Sequence, residues 1–316
     1  MTRPRADETR VRTVFIGSGG FGVESLRRLA SHDDVDLVGV VTAPARPAGR
    51  TRELTRTPVH DAAGHLGIET VLTPGRLRDP QSVADLLALA PELVVLADYG
   101  QIVPAALLDV QHGALNLHPS LLPRHRGATP IPAAILAGDA ETGVTLMRMD
   151  EGLDTGPIVA QERVALGGTE TTPQLEEILA ASAAELLAGN LSPWLRGEVE
   201  SRPQPAEGAT LSRPLRREDG RLDPRKSAIE LERQVRAYQP WPGSFLDTAV
   251  GRMVVWETSV EGGGPSAGRI DQLGLGTGDG RLILREVQPA GGKRMAWGEF
   301  VRGRPSIVGS SVLPGQ

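Results

Sequence analysis

The stretch VRTVFIGSGGFGVESLRRLA, residues 11–30, decides the fold of the first half of the chain. Its apolar run VRTVFIG is typical of a buried strand, and the spacing of FGVESLRRLA predicts a helix directly after it. Gly17, Gly19 and Gly22 follow the pattern G-x-G-x-x-G, which permits a tight turn and close packing of helix on strand. The stretch therefore predicts the first strand–turn–helix unit of an α/β domain.

Further strand and helix patterns alternate along the first half of the chain. Runs rich in Val, Ile and Leu predict strands at 35–42, 68–73, 92–98, 113–118 and 142–149. Helical spacing is found at 57–67, 79–90, 130–138 and 172–191. Apolar strands separated by helices indicate a mainly parallel sheet covered on both faces. We predict a Rossmann-like domain over residues 11–195.

The rest of the chain has a different pattern. Residues 196–212 contain Pro203 and Pro205 and little periodicity, as a linker does. Short strands such as MVVWETSV (253–260) then alternate with glycine-rich turns, which predicts a small OB-like β-barrel domain over residues 213–304. We expect residues 1–10 to be flexible and residues 305–316 to form a frayed tail.

Composition limits the class of protein. With 40% apolar and 23% charged residues, the chain is typical of globular proteins. No apolar run approaches the roughly 20 residues that span a bilayer, and the polar start MTRPRADETR lacks the apolar segment of a secretory signal. The absence of cysteine excludes disulfides and thiolate metal sites. We expect a cytoplasmic, monomeric protein that needs no metal.

Charge is unevenly distributed along the chain. Residues 201–316 carry 17 basic and 13 acidic residues, whereas the first 200 residues carry 17 basic and 26 acidic ones. A basic C-terminal part on an acidic protein is compatible with an anionic macromolecular partner, although an excess of this size also occurs by chance.

The glycine pattern alone suggests a dinucleotide site. Such a site also needs an acidic residue at the tip of the second strand, where it binds the ribose hydroxyls. Thr42 stands there instead. The stretch thus supports the fold but argues against a nicotinamide cofactor.

The densest chemical pattern is ALNLHPSLLPRHRGATPIP, residues 114–132. Asn116 and His118 lie two residues apart at the end of a predicted strand, so their side chains leave the same face. An amide can donate to a developing oxyanion, and an imidazole can donate to it or move a proton near neutral pH. Pro119 and Pro123 stiffen the loop that follows.

A second candidate segment is MDEGLDTGPIVAQ, residues 149–161. Asp150, Glu151 and Asp154 cluster in a glycine-rich turn just after a predicted strand. Carboxylates in such turns are commonly turn formers or solvated. One of them, facing His118, would orient the imidazole and stabilise its protonated form.

These motifs, in their order and spacing, resemble the folate-dependent formyltransferases from about residue 11 to about residue 303. The resemblance is carried by TAPARPAGRTRELTRTPV (42–59), ADYGQIVP (97–104), NLHPSLLPRHRGATPI (116–131), AGDAETGVTLMRMDEGLDTGPI (137–158), VRAYQPWPGSF (235–245) and TGDGRLIL…VQPAGGKRM (277–295). The departures are mild: the first turn reads GSGGFG where the family more often has a G-T-P-x-F type sequence, and Pro224 replaces an aromatic residue.

The resemblance implies a Rossmann-like formyltransferase domain followed by a barrel that helps to dock tRNA. It also implies 10-formyltetrahydrofolate as formyl donor and the α-amino group of initiator methionyl-tRNA as acceptor. Asn116, His118 and Asp154 match the catalytic trio of the family. The segment that lines the folate site is matched by Ser120, Leu121, Leu122 and Pro123.

The tRNA side of the prediction rests on arginines. Arg46 matches a loop arginine that approaches the acceptor stem in the family, and Arg50 and Arg52 lie in the same predicted loop. Basic residues of the second domain could follow phosphates, which would make binding dependent on salt. These are Arg213, Arg216, Arg217, Arg221, Arg225, Lys226, Lys293, Arg294, Arg302 and Arg304.

Four alternatives stay open on the sequence. The same chemistry could act on an amino-sugar nucleotide or another small amine such as glycinamide ribonucleotide. The protein could release formate by hydrolysis, act as a nicotinamide oxidoreductase, or bind RNA without catalysis. The arginine-rich loop argues against a small acceptor, Thr42 against the oxidoreductase, and the intact Asn116, His118 and Asp154 set against an idle protein.

Overall fold

The computed structural model describes residues 10–48 and 53–313, and these form two compact units. The first unit contains residues up to 130 together with 141–165 and 176–212. The second contains 131–140, 166–175 and the residues from 213 onward. The predicted flexible segment, residues 1–10, lies outside the described residues except for Arg10.

The first half of the chain forms eleven strands and six α-helices among the described residues. The strands are β1 (Val11–Gly17), β2 (Val35–Val41), β3 (Arg46–Ala48), β4 (Glu53–Thr55), β5 (Val71–Leu72), β6 (Leu93–Ala97), β7 (Ala114–His118), β8 (Arg126–Gly127), β9 (Glu141–Arg148), β10 (Ile158–Ala165) and β11 (Leu211–Ser212). The helices are α1 (Phe21–Ala30), α2 (Pro58–His65), α3 (Pro80–Leu87), α4 (Ala105–Leu108), α5 (Pro130–Ala137) and α6 (Thr172–Leu195).

A seven-stranded sheet organises the first unit, in the order β10-β9-β7-β6-β1-β2-β5. The five strands from β7 to β5 are parallel, and β9 and β10 are antiparallel to their neighbours. The central strands are buried along almost their whole length, which explains their near-continuous apolar sequences. The predicted mainly parallel sheet is confirmed.

Local sequence signals set where several helices begin. Thr57 precedes α2, and its hydroxyl accepts the His60 backbone N–H at 3.0 Å. Pro58 stands at the first helical position, where its missing N–H costs nothing. In contrast, Gly20 precedes α1 and has no side chain to cap it.

The second unit is built on an antiparallel sheet. Its elements are α7 (Ala228–Ala237), β12 (Ser244–Thr248), β13 (Gly251–Glu261), β14 (Gly274–Gly276), β15 (Arg281–Pro289), β16 (Met295–Ala296) and α8 (Trp297–Gly303). The strand order is β12-β13-β15-β14, and β16 pairs with β15. The sheet curls around apolar side chains that include Leu246, Val255, Leu282 and Phe300. The predicted barrel is therefore present as a curled half-barrel.

Residues 196–212, expected to be a linker, are hydrogen-bonded into the first unit. The backbones of Arg202 and Ile158 exchange two hydrogen bonds of 2.7 and 2.8 Å, and β11 pairs in parallel with β8. Two prolines prevent a regular strand pattern there, so the sequence hides these contacts.

The predicted frayed tail is also attached over its described part. Pro305–Ile307 forms a 3₁₀ turn, the Ile270 N–H donates to the Ser310 carbonyl at 3.0 Å, and the Leu313 N–H donates to the Asp247 carbonyl at 2.7 Å. The last three residues, 314–316, lie outside the described part of the chain. Over residues 10–48 and 53–313, no helix is both long and apolar enough to cross a membrane.

Candidate active site

The end of β7 carries two polar side chains that are almost fully enclosed. Asn116 and His118 are each 5% exposed. Asn116 is paired with Leu96 of β6 on one side and Met147 of β9 on the other, and His118 is paired with Thr145 of β9. Both residues lie at the carboxyl end of a parallel strand, where open α/β sheets bind their ligands.

Asp154 reaches this strand end from the loop after β9. Its Oδ2 lies 3.8 Å from Nδ1 of His118 and accepts the Gly127 backbone N–H at 2.7 Å. Asp154 has a φ of 52°, a left-handed conformation that Asp tolerates better than most residues. The structure thus brings together the three residues of the predicted trio.

The other two carboxylates of the same turn have different surroundings. Asp150 accepts hydrogen bonds from the Gly152 N–H at 3.0 Å and from the Thr155 hydroxyl at 2.8 Å, so it builds the turn. Glu151 is exposed. Asp154 is therefore the member of the cluster that faces His118.

The proton positions on His118 follow from its partners. Nε2 lies 3.0 Å from the backbone carbonyl oxygen of His125, and a carbonyl can only accept. Nε2 therefore carries the proton of the neutral ring, and Nδ1, on the Asp154 side, is the nitrogen that titrates. Burial lowers the pKa of His118, and the negative charge of Asp154 raises it again in part.

The loop after β7 is held by a compact hydrogen-bond network centred on Thr145. Its hydroxyl donates to the Ser120 carbonyl at 2.7 Å and accepts the Leu122 N–H at 3.0 Å. Gln161 of β10 donates to the Leu122 carbonyl at 3.0 Å. Ser120, Leu122 and Pro123 are buried, whereas Leu121 is half-buried. Within this segment, Leu121 has the most side-chain surface to offer a ligand.

Gln204, within the segment expected to be a linker, fixes the turn that carries Asp154. Its amide nitrogen donates to the carbonyls of Asp154 and Gly156, both at 2.8 Å, and its oxygen accepts from the Arg126 guanidinium at 2.7 Å. Gln204 was not predicted, because a glutamine between two prolines carries no periodic or motif signal.

His125 belongs to the same support. Its backbone N–H donates to the Thr210 hydroxyl at 2.8 Å, and its carbonyl accepts the hydrogen bond from Nε2–H of His118. His125 has a φ of 55° and is buried. This geometry could not be predicted, since the sequence marks His125 only as one more loop histidine.

The predicted tRNA-contact residues are partly described. Arg46 begins β3 and is exposed, and β3 pairs in antiparallel fashion with β4, so the described residues here form two short strands where a loop was expected. Arg50 and Arg52 lie outside the described residues.

Several basic residues of the second unit already have partners within it. Arg213 pairs with Asp219, Arg225 with Asp223, and Arg221 with Asp247. The guanidinium of Arg294 stacks over Trp256 at 3.6 Å, and that of Arg304 over Phe300 at 4.9 Å. Because of these ion pairs, the second unit offers an external anion less positive charge than its number of arginines suggests. The described ranges contain no group of three or more His, Asp or Glu that could hold a metal ion.

Comparison with known proteins gives a consistent result over most of the chain. The family profile described as "Formyl transferase" matches residues 11–190, and the one described as "Formyl transferase, C-terminal domain" matches residues 214–305.

Two relatives match nearly end to end. The methionyl-tRNA formyltransferase of Myxococcus xanthus is 42% identical over 308 residues, covering 96% of this chain and 98% of that protein. The methionyl-tRNA formyltransferase of Paramagnetospirillum magneticum is 42% identical over 309 residues, covering 96% of this chain and 100% of that protein.

A solved structure shares the fold at low sequence identity. The N-formyltransferase of Helicobacter canadensis, crystallised with folinic acid and dTDP-3-aminofucose, superposes with a TM-score of 0.61 at 15% identity. The match covers 90% of this chain and 100% of that protein. At this identity the likeness concerns the fold alone.

Proposed function

The chain belongs to the formyl transferase family, and from this membership we propose that it transfers the formyl group of 10-formyltetrahydrofolate to the α-amino group of initiator methionyl-tRNA. The product is N-formylmethionyl-tRNA, used in translation initiation. The acceptor is supported by relatives of this name at 42% identity over nearly the whole chain. The observation that carries the chemistry is the meeting of Asn116, His118 and Asp154 at one strand end.

The reaction moves one carbon between two nitrogens. The lone pair of the acceptor amine, free in part near pH 7 because its pKa is about 8 or below, attacks the formyl carbon on N10 of the folate. The carbonyl electron pair moves onto oxygen and forms an oxyanion. When the carbonyl reforms, the bond to N10 breaks, and the proton lost by the amine ends on N10.

Asn116 supplies a neutral donor for the oxyanion. Its side chain is almost fully enclosed and its backbone pairs with β6 and β9, which limits how far the amide can move before the substrate binds. An oriented donor in a water-poor site stabilises developing charge much more than a donor in water does.

His118 acts through Nδ1. Because Nε2–H is held by the His125 carbonyl, the neutral ring has no second N–H to offer. Nδ1 can accept a proton released by the attacking amine, and the imidazolium so formed can donate that proton to the oxyanion or pass it on toward N10. The depressed pKa of His118 keeps Nδ1 free to accept at neutral pH.

Asp154 faces the same nitrogen and stabilises the imidazolium. At 3.8 Å the carboxylate is beyond hydrogen-bond distance, so it acts on the ring through its charge and leaves Nδ1 free for the proton of the substrate amine. The Gly127 N–H and Gln204 hold the carboxylate and its turn against movement.

The substrate-binding residues are assigned on the same basis. The wall of the folate site consists of Ser120, Leu121, Leu122 and Pro123. Leu121 is the side chain of this segment that contacts the folate. Arg46, with Arg50 and Arg52 beyond the described residues, approaches the acceptor arm of the tRNA. We place the enzyme in the cytoplasm as a monomer that uses no metal.

The deciding experiment measures formyl transfer from 10-formyltetrahydrofolate to charged initiator methionyl-tRNA. The transfer is measured as acid-stable formyl label on the aminoacyl group. Elongator methionyl-tRNA serves as the acceptor control, and formate release without acceptor measures hydrolysis. We expect rapid transfer to initiator methionyl-tRNA and little formate. Preferred formylation of an amino-sugar nucleotide, or hydrolysis as the main reaction, would contradict the proposal.

A further inference from the structure

The glycine-rich turn between β1 and α1 has no part in the chemistry described so far. A turn of this kind, followed by a helix, normally offers backbone N–H groups and the positive end of the helix dipole to a phosphate. In this chain two carboxyl groups occupy that place, one from the end of β6 and one from α6.

Asp98 is the first of them. It directly follows β6; its carbonyl accepts the Ser18 N–H at 2.9 Å, and its backbone has a φ of 53°. A Cβ on Gly19 would lie 1.6 Å from Oδ2 of Asp98. The absence of a side chain at Gly19 is therefore explained by the aspartate that packs against it, without any phosphate.

Glu176 is the second. It lies near the start of α1, where the backbone N–H of Phe21 partly offsets the effect of burial on the pKa of Glu176. A Cβ on Gly20 would lie 3.0 Å from Oε1 of Glu176. A carboxylate of the same protein thus stands at the place where a phosphate would meet the start of α1.

The charge of Asp98 also acts on Glu176. Burial raises the pKa of Glu176, and the charge of Asp98 raises it further. Partial desolvation raises the pKa of Asp98, and the residue keeps some surface open to solvent at the strand end. A phosphate entering this turn would meet like charge in a partly desolvated place, which is unfavourable.

The turn adjoins the proposed reaction centre. Ala97, the last residue of β6, pairs with Gly17 of β1 on one side and with Leu117 of β7 on the other. Asp98 follows Ala97, so it lies between the end of β1, which leads into the turn, and the end of β7, which carries His118. An acceptor that reaches His118 along the carboxyl ends of the strands therefore approaches Asp98 as well.

We infer that Asp98 and Glu176 set acceptor specificity by excluding a terminal phosphate from the β1–α1 turn, while admitting a neutral or cationic amine. The inference rests on the proposed function and narrows its substrate class. Small amines that carry a terminal phosphate are rejected. The amino ester end of an aminoacyl-tRNA is accepted, because its phosphates lie further from the reacting amine.

The test compares phosphate binding by the wild type, Asp98→Asn, and the double variant Asp98→Asn/Glu176→Gln. Inorganic phosphate is titrated and followed by ³¹P line broadening, and its inhibition constant is measured against formyl transfer to methionyl-tRNA. We expect the double variant to bind phosphate about tenfold or more tightly than the wild type, and Asp98→Asn to fall between them. Glu177→Gln, which neutralises the exposed neighbour on α6, should behave as the wild type does.

Equal phosphate affinity in the wild type and the two variants overturns the inference, as does tight binding to the wild type. Asp98→Asn leaves the Glu176 contact with α1 in place, so it keeps the test valid if the double variant does not fold. The phosphate titration needs no activity. A protein that fails to formylate methionyl-tRNA would contradict the proposed function, and its phosphate affinity would still test the role of Asp98 and Glu176.

Discussion

At the residue scale, the tautomer of His118 limits what the imidazole can do. One ring nitrogen is committed to a backbone carbonyl, so chemistry falls to the nitrogen that faces Asp154. The ring therefore works as a carrier of a transferred proton, and its donor function depends on first having received that proton. Asn116 is then the donor that is ready before reaction.

Replacing Asn116 by Ala should lower kcat by about a hundredfold or more, because one oxyanion donor is lost. The folate dissociation constant should change little, since the contribution arises in the transition state. Steady-state kinetics together with folate titration measure both quantities. Asn190→Ala, on α6, is the control for loss of an amide. Near-normal turnover of a folded Asn116→Ala protein would remove this residue from the mechanism.

Replacing Asp154 by Asn should also reduce kcat by about a hundredfold, because the imidazolium loses its counter-charge. The amide oxygen can still accept the Gly127 N–H, so the turn should stay folded. NMR titration of His118 should show its pKa lower than in the wild type. Glu151→Gln, an exposed carboxylate of the same turn, is the matched control. An unchanged His118 pKa would show that the Asp154 charge does not act on the ring.

The buried His118 also predicts how stability depends on pH. An unfolded chain protonates histidine with a pKa of about 6.5, whereas burial lowers the pKa in the folded protein. The unfolded state thus binds more protons in this range, and the free energy of unfolding should fall as the pH drops below about 6.5 and stay constant above it. Denaturant unfolding at pH 8 and at pH 5.5 measures the loss, which should shrink in His118→Gln. If His118→Gln loses as much unfolding free energy between pH 8 and pH 5.5 as the wild type does, groups other than His118 cause the loss.

At the element scale, the sequence predicted best where a strand is buried on both faces. This holds for β1, β6 and β7, whose apolar runs are continuous because a strand buried on both faces needs apolar side chains on both faces. β10 was missed because it lies at the sheet edge, and IVAQERVA mixes charged and apolar residues without a clear period. The segment around Arg202 was missed because its contacts with Ile158 are between backbones, and Gln204 was missed because its side chain binds backbone carbonyls; composition encodes neither.

The candidate site could be predicted as residue types but not as geometry. N-x-H at a strand end and an aspartate in a glycine-rich turn were visible from spacing. The choice of Asp154 over Asp150 came from the family resemblance, and the tautomer of His118 depends on the carbonyl of His125, whose position only the fold defines.

The β1–α1 turn gives a test at this scale. Gly19→Ala should destabilise the protein, because the new methyl group would collide with the Asp98 carboxylate. Gly64→Ala, inside α2 with no neighbouring atom within 4 Å of the new methyl group, should stabilise it by about 0.5–1 kcal/mol. Urea unfolding of both variants provides the comparison. Equal stability of Gly19→Ala and the wild type would show that Asp98 moves aside freely.

At the scale of the whole molecule, tRNA binding should be electrostatic and therefore depend on salt. Arg46→Ala should raise KM for methionyl-tRNA about three- to tenfold and reduce the slope of log KM against log salt by about one. Binding of folate should not change. Arg28→Ala, an arginine on α1 paired with Glu185, is the control. An unchanged KM would show that the paired strands β3 and β4 do not contact the tRNA.

The order in which the chain is made bears on the two short segments, 131–140 and 166–175, that belong to the second unit. Thr172 donates to the Ala237 carbonyl at 2.6 Å and Arg236 to the Glu170 carbonyl at 2.9 Å, and the Arg233 guanidinium lies beside Gly138, so both segments have partners far downstream. Both segments leave the ribosome long before these partners exist. A nascent chain stalled near residue 212 would carry them uncovered, and the enzyme cannot be divided by one cut into two complete halves.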